Sequence, residues 1–198
     1  MAILPIKSAP VSILVIFIAA FAPARAQDLD ATLDSSRWDG LSIKYPGDLF
    51  TIFRPVDDPK PEDDPNKDAE IPGAADRDVL KSNDGAAEVI LGGDYNSSDY
   101  RDANAYLDRF LERDKQQHPS AIVTYRAARD DWAVASGTFD NRIFYYKFVA
   151  HCENDARSCN LPETFATAQF DYAADQHDLY DKLVVEMSQT LTPAIPPD

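Results

Sequence analysis

Hydrophobic and polar positions alternate through residues 121–172 in a pattern that predicts four strands joined by short connections. Ile122, Val123 and Tyr125 form a β-branched and aromatic run that Asp130 and Asp131 break. A second run covers residues 132–139, and Asp140 with Asn141 then makes a two-residue turn. Residues 142–149, rich in Ile143, Phe144, Tyr145, Tyr146, Phe148 and Val149, are the most strand-like in the chain, and residues 165–172 close the meander. Side chains in a strand point alternately to opposite faces, and such runs separated by polar turn residues read as hairpins. Phe144, Tyr145, Tyr146 and Phe148 occupy both faces of one strand, so that strand is covered on both sides. Core packing explains these rings more simply than a ligand pocket.

The preceding part of the chain carries the same signals in shorter form. Residues 28–37 are polar apart from Leu29, Ala31 and Leu33, and the spacing of the two leucines suggests one helical turn in a lead-in over 27–37. Leu41, Ile43 and Tyr45 alternate with Ser42 and Lys44, which predicts a half-buried strand. Pro46, Gly47 and Asp48 then turn the chain into a second strand over 49–53. Strands over 79–81 and 86–91 flank Asn83, Asp84 and Gly85, a hairpin signal, and Gly92 with Gly93 suggests a sharp exit or a bulge. Ala103, Tyr106, Leu107, Phe110 and Leu111 recur at helical spacing. Ser98 is the expected N-cap, and the helix of about five turns ends before Pro119. A closing helix is expected over 176–191, with Asp175 as its cap and Leu179, Leu183, Val184, Met187 and Leu191 as its apolar stripe. The expected fold is α+β: a mostly antiparallel sheet of about six to eight strands, covered by two long helices in an α/β/α sandwich. One domain spans 38–192, with a tail over 193–198.

Charge and processing signals place this domain. The 198 residues hold 19 Lys and Arg against 34 Asp and Glu, a net charge of −15. So acidic a surface repels phosphate backbones and argues against nucleic-acid binding. Lys7 precedes an apolar run over 11–21, and Ala24, Arg25 and Ala26 fit the small-x-small rule. This reads as a secretory signal over 1–26, cleaved between Ala26 and Gln27. The run is too short for a membrane span, so none is expected to persist after processing. The two cysteines, Cys152 and Cys159, flank a polar loop between strands and read as one disulfide in an exported protein. Closing so short a loop contributes about 2.5 kcal/mol by the chain-entropy relation. A redox pair or a metal site with His151 is the alternative, but the spacing is not Cys-x-x-Cys and the ligand set falls short of a zinc shell. Residues 56–78 hold four prolines among nine acids. They read as an acidic loop inserted in the domain; calcium binding is disfavoured because the EF-hand order is missing.

Reactive constellations are sparse. Gly-x-Ser-x-Gly, His-Glu-x-x-His and the phosphate-loop order are missing. His118, His151 and His177 each read as surface histidines. Asp171, Asp175, His177 and Asp178 form the densest group of ligand types, but acids at a helix start also complement the helix dipole. Asn96, Ser97 and Ser98 match a glycosylation sequon. No cofactor and no resident metal are expected.

The run from Trp38 to Pro46, with Asp39, Gly40, Leu41, Ser42, Ile43, Lys44 and Tyr45 between, resembles the opening strand of PsbP-like domains. That fold is shared with a Ran GTPase-release factor and with bacterial envelope proteins. The turn at Asp84 and Gly85, the helix after Ser98, the Ser136–Gly137 strand and the last helix follow in a similar order over most of 37–191. The resemblance implies an antiparallel sheet between helices that serves as a binding or assembly module, and it transfers no binding residue. The long acidic loop and the missing lipid-anchor cysteine depart from the pattern. The expected function is an exported, non-enzymatic module of the bacterial envelope, periplasmic or secreted, whose partner is an envelope protein or a small ligand. The alternative is a periplasmic hydrolase, with or without metal assistance, that uses carboxylates with His177 or His151.

Overall fold

The computed structural model describes residues 28–35, 38, 40–53, 77–152 and 161–193. Among the described residues nine strands and two α-helices follow in the order β1 (Ala31–Asp34), β2 (Ser42–Tyr45), β3 (Phe50–Phe53), β4 (Arg77–Ser82), β5 (Ala87–Tyr95), α1 (Ala103–Gln117), β6 (Ile122–Ala128), β7 (Trp132–Phe139), β8 (Arg142–His151), β9 (Thr164–Ala173) and α2 (His177–Gln189). The fold is α+β. Strands β3 to β9 form one antiparallel sheet in the order β3-β4-β5-β9-β8-β7-β6, and β1 pairs with β2 in a separate two-stranded sheet. Two meanders, β3 to β5 and β6 to β9, are thus joined edge to edge by the long β5–β9 pairing, in which Ala87 faces Tyr172 and Tyr95 faces Thr164.

Alternation along β8 decides which helix covers which face. Phe144, Tyr146 and Phe148 pack with Ala103, Tyr106, Leu107 and Phe110 of α1. Ile143, Tyr145 and Val149 point the other way, toward Phe170, Tyr172 and the α2 residues Tyr180, Leu183, Val184 and Met187. The rings on both sides of β8 are therefore core, as their pattern suggests. The α2 face is closed further by Leu33 and Ile43 of the small sheet and by Leu41 just before it, each at most 1% exposed.

The helices are shorter than the hydrophobic pattern suggests, at 15 and 13 residues. Ser98 does not cap α1. The loop before it is tied down by Asn96, whose amide donates to the Tyr100 and Pro162 carbonyls at 2.8 Å and accepts from the Tyr100 N–H at 2.7 Å. Asp99 there adopts a φ of 54°. The cap is Asp102, which accepts the Ala105 N–H at 2.8 Å. The Asn96 amide is thus committed inside this loop. Asp175 is likewise no cap: Ala174–Gln176 form a 3₁₀ turn, and α2 starts at His177. Its other end stops at Thr190, whose hydroxyl donates to the Met187 carbonyl at 2.7 Å and accepts the Lys44 N–H at 2.8 Å. Thr192 continues along β2, accepting the Ser42 N–H at 2.7 Å and donating its own N–H to the Ser42 carbonyl at 3.1 Å.

Two other expectations are corrected. The lead-in is a strand, not a helical turn: Leu33 pairs with Ile43 and is fully buried. Gly92 and Gly93 do not end β5, which runs on to Tyr95. Gly93 leaves room for Trp38, because a Cβ there would overlap the indole ring. The hairpin turns are where the sequence places them. Gly85 takes a φ of 73° and Asp140 a φ of 49°, conformations that glycine, and less readily aspartate, accept. Asp84 pins the first turn by accepting the Ser82 hydroxyl at 2.6 Å and the Ala86 N–H at 2.9 Å, and the Tyr180 hydroxyl reaches it from α2.

Candidate functional site: the cavity between α1 and the β6 edge

One helix cannot cover a seven-stranded sheet, and α1 leaves a gap beside the sheet edge. It packs mainly on β7 and β8, while β6, the terminal strand, is exposed along nearly its whole length. Ile122, Val123 and Tyr125 are 62%, 43% and 56% exposed. A register irregularity between Val123 and Tyr125 interrupts the ladder with β7, which is one way an open edge is kept from adding strands at random. Glycine lets β6 approach here, since a Cβ at Gly137 would overlap the Ile122 carbonyl oxygen.

Between α1 and β6 lies a cavity of about 670 Å³, within the size range of small-molecule sites. Leu111, Ala121, Ile122, Val123 and Phe144 form its apolar lining. Asp108, Glu112 and Lys115 of α1 and Arg126 of β6 ring the mouth. Arg126 is already committed: it donates to Asp108 and to the Asn104 side chain, both at 2.6 Å.

The remaining wall residue is Asp114, only 9% exposed. It hydrogen-bonds Tyr146, itself 6% exposed. Burial pushes the Asp114 carboxyl up from its ordinary value, against the opposing pull of the His118 charge, the Tyr146 hydroxyl and the Arg113 charge. Burial and the Asp114 charge push the Tyr146 phenol upward too. The polar chain continues on the same face to Asp171, bound to Arg142. Burial raises the Asp171 carboxyl, and the Arg142 hydrogen bond and charge pull it back. His118 ends α1 with its ring stacked on Phe139 at 4.3 Å between centroids. A buried carboxyl held by a phenol in an apolar hollow is suited to recognising a polar group on a ligand.

The residues singled out from the sequence lie elsewhere. His177 sits 3.5 Å from Asp178 and 3.8 Å from Asp181, on the exposed start of α2, and Asp181 accepts the Tyr172 hydroxyl at 2.7 Å. The Asp181 approach follows from helical i,i+4 spacing. His151 ends β8 opposite Thr164. Cys152 follows it, and Cys159 lies outside the described residues, as do Ala26, Gln27 and nearly all of the acidic stretch over 56–78. Among the described residues no group of three or more metal-ligating side chains gathers, and no helix is long and apolar enough to cross a membrane.

Sequence reasoning missed Asp114, though a signal was there. Seven residues after Leu107 and four after Phe110, it falls on the apolar stripe of α1, where a carboxylate is out of place unless the fold gives it a partner.

No family model matches the chain, and no curated protein matches it either.

Proposed function

We propose that the protein is an exported, non-enzymatic binding module of the bacterial envelope, which takes its partner or ligand at the cavity between α1 and β6. The cavity carries this reading. It joins an apolar hollow, a buried polar pair and an exposed strand edge in one place, the combination expected of a recognition site. The PsbP-like resemblance agrees with it, since that resemblance implies an antiparallel sheet between helices serving in binding or assembly. Export rests on the processing signal over 1–26. A Cys152–Cys159 disulfide would suit the oxidising side of a membrane, and the pairing of His151 with Thr164 holds the two ends of that loop together.

The test is capture of a partner from an envelope extract by the purified mature protein, compared with Ile122→Asp and Val123→Trp variants. Capture that both variants lose supports the reading; capture that neither loses contradicts it. The rival hydrolase reading draws on the His177 contacts. It predicts turnover in esterase, phosphatase or peptidase screens that a His151→Ala, His177→Ala double variant abolishes, and such turnover would displace the binding reading. Reduction of the protein is expected to lower its melting temperature, by an amount equivalent to about 2.5 kcal/mol, without unfolding it at room temperature. An unchanged melting temperature would remove the disulfide from the account.

A further inference from the structure

We propose that the cavity between α1 and β6 binds a small organic cation, a protonated amine carried on an apolar body, with Asp114 as its counter-charge. The inference rests on the binding-module reading and names the chemistry of the ligand. Asp114 meets the cavity while 9% exposed, and the Tyr146 hydroxyl hydrogen-bonds it. A carboxylate offers about four acceptor sites, so one phenol leaves it able to take an ammonium group. A neutral apolar ligand would strip the remaining water from this carboxylate and give nothing back, and an anion would add repulsion. A cation recovers the loss through a charge-assisted hydrogen bond.

The surroundings act in the same direction. Three carboxylates and two cations line the cavity. Of the two cations, Arg126 is held by Asp108 and Asn104, and Lys115 lies exposed at the mouth. The chain as a whole carries −15, a field that draws cations toward it. Leu111, Ile122 and Val123 would receive the apolar body.

Calorimetric titration with three indoles of matched shape tests this: tryptamine, the neutral tryptophol and the anionic indole-3-propionate. Tryptamine is expected to bind at least about ten-fold more tightly than tryptophol, with indole-3-propionate weakest. Asp114→Asn should bring the amine and the alcohol within about two-fold of each other, and Val123→Trp, which fills the hollow, should block both. If Asp114→Asn does not fold, the selectivity of the unaltered protein and the Val123→Trp block carry the test. Equal or tighter binding of the alcohol or the acid, amine binding that survives Val123→Trp, or no binding of any indole would each overturn the cation assignment. The binding-module reading would still stand if Ile122→Asp and Val123→Trp abolish partner capture, so the two failures are distinguishable.

Discussion

The two faces of the central sheet are built from the same strands but are finished differently. On the α2 face, a helix and a second small sheet together close over Leu80, Val89, Leu91, Phe170 and Tyr172, all nearly or fully buried. The seams are hydrogen-bonded as well: Thr190 and Thr192 stitch the end of α2 to β2, and Tyr180 reaches the β4–β5 turn. On the other face, among the described residues, α1 works alone. It packs on β7 and β8, meets β6 through Arg126, which Asp108 and Asn104 hold, and carries a carboxylate on its apolar stripe. Buried polar groups cost stability unless paired, so a face that carries Asp114, Tyr146 and the Arg142–Asp171 pair beside an open hollow gives up some of the stability that an apolar core would supply. The difference divides the labour: the closed face holds the fold together and the open face is available for recognition.

Substitutions that damage one face and spare the other test this division. The largest effect is expected from Phe170→Ala, which empties a fully packed position on the α2 face. It should cost about 3–5 kcal/mol in denaturant unfolding, while Val123→Ala on the cavity wall stays within about 0.5 kcal/mol. Similar costs at both sites would erase the contrast. A smaller loss, about 1–3 kcal/mol, is expected from Gly93→Ala, because the added methyl must displace Trp38 from its seat. If the change is neutral, Trp38 has another way to pack.

The smallest effect carries a sign. In the folded protein the Asp114 carboxyl is raised by burial. Its contribution to stability is therefore fully present below the ordinary carboxyl value and lost as pH rises through the folded value. Asp114→Asn keeps the shape and stays neutral. Its melting temperature relative to the parent should be higher at about pH 7 than at about pH 4, and the opposite trend would mean that Asp114 is held as a stabilised anion.

Much of the architecture was legible because it is local. The β6 to β9 meander shows in period-two alternation and in the Asp140–Asn141 turn, and the β4–β5 hairpin shows in Asp84 and Gly85. What stayed hidden depends on distant partners. Around the four-residue β1 the lead-in offered only Leu29 and Leu33, whose spacing also suits a helix, and only pairing with β2 makes it a strand. Ser98 and Asp102 are both good caps by type, and the Asn96 loop decides between them. Gly93 looked like a break because Trp38, the ring it accommodates, lies 55 residues away. The site was the least legible part. Its histidine neighbour is His118, not His151 or His177, and the stripe position of Asp114 gains its meaning once α1 is known to lay that stripe on Phe144 and Phe148.

Hydrogen exchange of backbone amides, with and without saturating tryptamine, bears on both faces at once. In the unliganded protein, β6 and the end of α1 should exchange faster than α2, β1 and β2, and tryptamine should slow exchange in β6 and α1 alone. Protection that appears instead at the His177 end of α2, or unliganded exchange as slow in β6 as in α2, would contradict the division between a closed, stabilising face and an open, recognising one.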